Sequence, residues 1–301
     1  MAKRIEKQSL LGWIGVGLST AITSFWAFWG IIENFHEGWY QESLLSNIGL
    51  MLVQYLSPML IFMALGLTAL YRPRMGSLLH VALAIFAAFF FDNSSNAATL
   101  LIIAPFLTIA GLYWFSQFRS RKLASLVLIG IPLLTSILSG IEPVLRVSAR
   151  VDDGNREARL VRGNGVELIW APEGQGWPLS GTNWQEAMKA CEYLEEHGTV
   201  TAAQPQGIWR LPSVEEAVRS MARHGQNSGG VWDAESNTAS YMSSPDKESP
   251  LWNTLSQVIY WWTATESEEG RAYIIVYDGN VWSRAQESAY GYLGYRCVRD
   301  P

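Results

Sequence analysis

A chain of 301 residues is long enough for two units of ordinary size, and its 49% hydrophobic content averages over two unlike parts. On either side of Leu123 the Lys and Arg divide eight to fourteen and the Asp and Glu five to twenty-two, leaving the first part near +3 and the second near −8. An acidic second part excludes a nucleic-acid surface there, because phosphates require a basic face.

The first part alternates apolar runs with short polar connections. Runs at 10–32, 48–70, 75–91, 97–115 and 123–141 hold 17 to 23 residues each with almost no charge. Crossing the hydrocarbon core takes roughly 20 apolar residues, since every backbone polar group must bond within its own helix. The pattern therefore predicts five spans in a membrane domain over 1–142. The third run is the weakest: it is short and carries His80, and it could form a re-entrant hairpin with the fourth, leaving three full spans.

Basic residues are retained on the cytoplasmic side of short loops. Lys3, Arg4 and Lys7 precede the first run, Arg72 and Arg74 lie in the second connection, and Arg119, Arg121 and Lys122 lie in the fourth. The connections Glu33 to Asn47 and Asp92 to Asn96 contain none. The expectation is a cytoplasmic N-terminus and, after three or five spans, a C-terminal part outside, with the chain integral to a cell or inner membrane. A basic start before an apolar run also fits a signal peptide, with Ser19-Thr20-Ala21 as a cleavage region, but the run continues through Phe25 to Trp29 to span length.

No span centre carries Asp, Glu, Lys or Arg, the usual marks of a transport path, so anchoring and assembly with other membrane proteins are expected. His80 and Gln54 read as interhelical hydrogen-bond partners. Glu33, His36 and Glu37 could hold a metal but read better as an exposed polar loop.

A polar, extended linker is expected at 143–154, and a globular domain at 155–301. Arg159–Arg162 and Val166–Trp170 read as strands around Gly163-Asn164-Gly165, a pair-forming turn rather than a dinucleotide loop, which would need a later glycine and a helix. Asn183 with Glu186 opens a helix expected to end at Gly198. Ser213 with Glu216 caps a second, whose buried stripe is Val214, Ala217, Val218 and Met221. From Gly225 to Ser256 the chain is too long and polar for an ordinary connection. Strands at Val258–Thr263, Arg271–Tyr277, Val281–Ala285 and near Tyr292–Val298 complete an α+β domain.

Here a resemblance appears. Trp184 to Cys191, Trp209-Arg210-Leu211-Pro212-Ser213, Tyr260-Trp261-Trp262-Thr263 and Gly294-Tyr295-Arg296-Cys297-Val298-Arg299 together resemble the Lcl C-terminal-like domain family over about 159–299. That family implies a C-type-lectin-like fold related to the formylglycine-generating sulfatase-modifying enzymes. It implies further that Cys191 in the first helix and Cys297 in the last strand form a disulfide. Two buried thiols are the alternative; metal-ligand spacing is absent.

Pairing of both cysteines would leave none for the chemistry of the formylglycine-generating relatives. His197 and His224 sit at expected helix ends, where the dipole alone favours them, and the Glu195-Glu196 pair reads as a solvated face. The lectin calcium motifs are missing, Trp252-Asn253 being followed by Thr254. No cofactor is expected. Many aromatics fall near the long loop and late strands: Trp232, Tyr241, Trp252, Trp261, Trp262, Trp282, Tyr290 and Tyr292. The expected function is a non-catalytic recognition module for a glycan or protein, through Trp252, Asn253, Asp278, Asn280 and Trp282. An accessory subunit of a membrane complex, whose partners are membrane proteins and lipid, is the alternative, and an enzyme a third reading.

Overall fold

The computed structural model describes residues 2–90, 96–118 and 120–301, and the side chains of all but 2–8, 96–99, 101 and 102 of these. The side chains of Lys3, Arg4, Lys7 and Arg119 therefore lie outside the described residues, as do the end of the third run at Phe91 and the connection through Ser95. Two compact units result: Met1–Gly38 with Ser43–Leu145, and Trp39–Glu42 with Arg146–Pro301.

The first unit is helical. α1 (Ala2–Glu33) winds on into a π-helical turn at Asn34–Gly38; α2 (Leu44–Leu50) does the same at Met51–Tyr55 before α3 (Ser57–Tyr71). α4 (Pro73–Phe90), α5 (Asn96–Trp114) and α6 (Arg121–Ser148) follow. Among the described residues three helical stretches are long and apolar enough to cross a membrane: Ser9–Gly38, Pro73–Phe90 and Arg121–Ser148. The expected second span is instead a pair, Leu44–Tyr55 and Ser57–Tyr71, bent by 60°, and counts as a fourth only if the pair is one span. Pro58 explains the break, since its ring denies a hydrogen bond to the preceding turn and crowds its carbonyls. The discontinuity thus falls in the second run, whereas the third, thought weakest, is an unbroken 18-residue helix about 27 Å long.

In this unit small residues meet where helices approach closely and many large apolar ones face out, around a core of Val16, Leu70, Ile109, Tyr113 and Leu128, a pattern compatible with packing in lipid. A Cβ on Gly76 would lie 2.2 Å from the Cα of Ala69, so α3 and α4 approach closely. Leu126, Ile137 and Phe89 are exposed by 65% or more. Ser77 Oγ donates to Ala110 O at 2.8 Å, linking α4 to α5. His80, expected to bond between helices, bonds within its own, Nδ1 to Gly76 O at 2.8 Å, and Gln54 is exposed.

The second unit is built mainly of strands. β1 (Arg159–Gly163) and β2 (Val166–Trp170) form the expected hairpin, with Asn164 at φ 54° and glycines on both sides at positive φ. The C-terminal β11 (Val298–Arg299) pairs antiparallel with β2, joining the last strand of this unit to its first hairpin. α7 (Trp184–Glu192) starts on Asn183 as expected, but ends at Glu192, six residues short of the expected stop at Gly198. Its tail doubles back so that Leu194 bridges Thr201. α8 (Val214–Ser220) has both halves of its capping box, and its expected stripe is buried.

The long polar stretch folds into two small hairpins, β3 (Ala222–Arg223) with β4 (Gln226–Asn227) and β5 (Val231–Asp233) with β6 (Thr238–Ser240). β7 (Tyr260–Glu268), β8 (Arg271–Val276) and β9 (Val281–Ala285) form an antiparallel sheet, with β10 (Leu293–Gly294) parallel along β7. Between the sheets and helices lies one aromatic core that includes Trp170, Trp252, Trp261, Trp262 and Tyr277. The segment expected to be an extended linker differs: α6 runs to Ser148, the proline at 143 notwithstanding.

Candidate functional site

The residues that carry the family resemblance hold the fold together. Cys191 on α7 is disulfide-bonded to Cys297. Beside it, Arg296 is wholly buried; it donates to the carbonyls of Ala171, Pro250 and Leu251 and lies 3.6 Å over the Trp177 ring. One side chain thus pins the last strand to β2 and to the long loop. Trp184 and Trp209 donate their indole N–H groups to Thr263 O and Glu195 O, at 2.8 and 2.9 Å. Arg210 forks onto Glu216 with two bonds of 2.7 Å, fixing the start of α8.

The five expected contact residues are separated by the fold. Trp252 is 2% exposed, stacked on Trp261 at 3.7 Å between centroids and edge-on to Tyr277. Its neighbour Asn253 is buried, Oδ1 accepting from Arg156 and from the Leu255 amide. These two are core groups. Asp278 and Asn280 close the β8–β9 turn on each other, with Asn280 Nδ2 to Asp278 Oδ2 at 3.0 Å. Gly279 between them has φ +91°, and a Cβ there would lie 2.5 Å from the Tyr241 ring, whose hydroxyl donates to Gly279 O. Of the five, only Trp282 presents a large exposed ring.

Trp282 begins a chain of aromatic contacts along one end of the sheet. Its ring lies 5.4 Å from Tyr260; Tyr260 lies 5.5 Å, edge to face, from Tyr292; Tyr292 stacks 5.5 Å from Tyr290. Strand alternation in β9 turns Trp282 and Arg284 outward together, the guanidinium 5.6 Å over the indole. Tyr290 is half exposed and Tyr260 nearly covered, so the face offers two accessible rings supported from beneath. Of the other aromatics named above, Trp261 and Trp262 are both buried, and Trp232 packs edge-on against Tyr273. The sequence marked Tyr260 only as part of the family motif and did not single out Arg284; alternation with Trp282 along β9 could have found Arg284, but only the closure of β10 onto β7 brings Tyr260 to this face.

A second constellation surrounds Asp246, Lys247 and Glu248, all buried. Asp246 accepts from Arg150 Nε at 3.0 Å and from Arg223 at 2.8 Å, with Arg146 Nε at 3.7 Å. Burial acts to raise its pKa, but the arginines, Arg150 foremost, hold it below the usual carboxylate range. Glu248 accepts from the amides of Val151 and His224, and His224 Nδ1 stands 3.5 Å from its second oxygen. The Lys247 ammonium donates to Ser256 O, and burial, with Arg150 adding to it, lowers its pKa to about 7. Every carboxylate here is engaged by several protein donors, so the cluster ties Arg146–Val151 to the 246–249 loop. His197 is exposed on its turn. Among the described residues no three His, Cys, Asp or Glu side chains gather as a metal site, Glu33, His36 and Glu37 included.

No family model matches the chain, and no curated protein or solved structure matches it.

Proposed function

We propose that the sheet-rich unit is a non-catalytic recognition module, held outside the cytoplasm by the helical unit, and that its ligand meets the Trp282–Tyr260–Tyr292–Tyr290 face. The observation that carries this reading is the pair of exposed rings, Trp282 and Tyr290, backed by a continuous aromatic row and bordered by Arg284. Rigid aromatic rings cover the apolar face of a sugar or a protein side chain at small entropic cost. In this reading the fold is C-type-lectin-like, which the pairing of the terminal strands and the α7-to-last-strand disulfide support. In this reading five spans, counting the bent pair and α5, put the two ends of the chain on opposite sides, with the N-terminus in the cytoplasm. Eight basic residues in the even connections and N-terminus, against none in the others, support that orientation. An oxidising compartment for the disulfide agrees with it.

The test is a glycan array probed with the full chain in nanodiscs, beside the Trp282→Ala and Tyr290→Ala variants. Binding that weakens by more than about 1 kcal/mol in either variant, with an unchanged melting temperature, supports the face as the site. Equal binding by all three proteins removes it.

A further inference from the structure

Where α3 turns into α4, the end of α5 comes alongside and leaves a cleft of about 650 Å3, lined by Arg72, Arg74, Met75, Trp114, Phe115 and Gln117 among others. Both arginines are exposed, and among the described residues neither guanidinium takes part in an ion pair. Among the described residues no carboxylate lines the cleft. Arg121 adds a third guanidinium close by, 6.0 Å over the ring of Tyr71, the residue before Arg72. The volume lies within the roughly 300 to 1,000 Å3 of small-molecule sites, and unneutralised guanidinium groups two residues apart call for an anion.

The remaining lining says which anion. Met75, Trp114 and Phe115 are exposed apolar side chains. They stand where α4, a helix long and apolar enough to span, begins, and where α5 ends. At that level of a bilayer Trp and Tyr sit among headgroups, and basic pockets between helices bind acidic ones. A soluble phosphate would use the arginines and leave the apolar wall wet. We propose that this cleft binds the headgroup of an acidic phospholipid, its phosphate held by Arg72 and Arg74 and its acyl chains running past Met75, Trp114 and Phe115. The site belongs to the helical unit alone and does not depend on what the sheet-rich unit recognises.

The experiment titrates the full chain, in mild nonionic detergent, with phosphatidylglycerol, phosphatidylcholine or inorganic phosphate, and counts bound lipid by native mass spectrometry. Phosphatidylglycerol should bind tightest. The Arg72→Gln/Arg74→Gln variant should lose roughly thirty-fold in affinity for it, about fivefold for each basic contact, while Arg162→Gln, in the other unit, should bind as the parent does. Arg72→Lys/Arg74→Lys, which keeps the charge, should bind with intermediate affinity and covers the case in which the neutral variant does not fold. The proposal is overturned if phosphatidylcholine binds as tightly as phosphatidylglycerol or if the folded Gln variant retains parental affinity. Displacement of the lipid by millimolar inorganic phosphate would overturn it as well, by making the cleft a site for a soluble anion.

Discussion

The two units differ in the side chains they bury: the largest fully covered ones are Leu70, Ile109, Tyr113 and Leu128 in the helical unit and tryptophans in the sheet-rich one. In the helical unit the tight contacts are made by Gly, Ala and Ser, as at Gly76 on Ala69, while Leu126, Ile137 and Phe89 point outward. In the sheet-rich unit the largest rings go inward, Trp170, Trp252, Trp261 and Trp262 among them, and charges such as Arg296 and Asp246 are buried with hydrogen-bonding partners. The difference is the one expected if the helical unit packs in lipid and the sheet-rich unit in water. Lipid does not drive large apolar groups together, so close backbone approach and dispersion decide the packing. Water does, and a small domain in water gains most by burying aromatics around a cross-link.

The largest effect that would break this contrast concerns the cross-link. Cys191 and Cys297 lie 106 positions apart, and in the chain-entropy model the bond contributes roughly 4 to 5 kcal/mol. Reduction should therefore lower the melting temperature of the sheet-rich unit sharply while leaving the helical content of the first unit intact; circular dichroism in detergent with and without reductant measures both. A melting temperature indifferent to reductant would mean that the aromatic core suffices alone.

Trp252 comes next. Its stacking on Trp261 predicts that Trp252→Ala costs about 3 to 5 kcal/mol. Among the described residues its indole N–H has no hydrogen-bond partner, so Trp252→Phe should cost much less. Thermal melts of the two variants against the parent decide it, and a small loss for Trp252→Ala would return this residue to the surface.

The junction sharpens the comparison further. A fragment starting at Arg146 keeps Arg146, Arg150 and the Val151 amide on Asp246 and Glu248, whereas one starting at Asp152 leaves both buried carboxylates short of donors. Chemical denaturation should find the shorter fragment less stable by about 2 to 3 kcal/mol, softened because Arg223 still faces Asp246.

Lys247 gives the smallest and most diagnostic change. Its folded pKa, near 7, lies below its unfolded value near 10.5. Between these values the unfolded chain binds the extra proton, so stability rises with pH; below about 7 both states are protonated and the penalty is complete. The slope from pH 8 to 9.5 should approach 1.4 kcal/mol per unit and vanish in Lys247→Met. Above pH 10 the sign turns, because burial raises Tyr277 and Tyr295 to about 12 and the unfolded tyrosines lose their protons first.

Legibility also differed between the units. Apolar runs revealed where helices lie, but neither the break at Leu56 nor the continuation of α6 to Ser148 has a hydropathy signature; the first depends on Pro58 and the second on docking of Arg146 and Arg150. In the second unit the hairpin turn at Gly163-Asn164-Gly165, both helix caps and strands β8 and β9 were readable because local chemistry specifies them, whereas the strand expected near Tyr292 to Val298 is two short ones, β10 and β11, in different sheets. Burial was not. Trp252 and Trp282 look alike in sequence, each beside small polar residues, and only the long-range stacking of Trp252 on Trp261 separates a core ring from an exposed one. The Asp246-Lys247-Glu248 run likewise reads as solvated until Arg150 and Arg223 are brought to it.

That the two units face different solvents, with the sheet-rich one outside the cytoplasm, is tested most directly by labelling intact cells with a membrane-impermeant maleimide. Ser236→Cys, in the exposed β5–β6 hairpin, is preferable to a cysteine at Gly229, whose Cβ would strike Met242. The prediction is that Ser236→Cys reacts in intact cells while Arg121→Cys reacts only after lysis. Labelling of Arg121→Cys in intact cells, with Ser236→Cys protected until lysis, would contradict it.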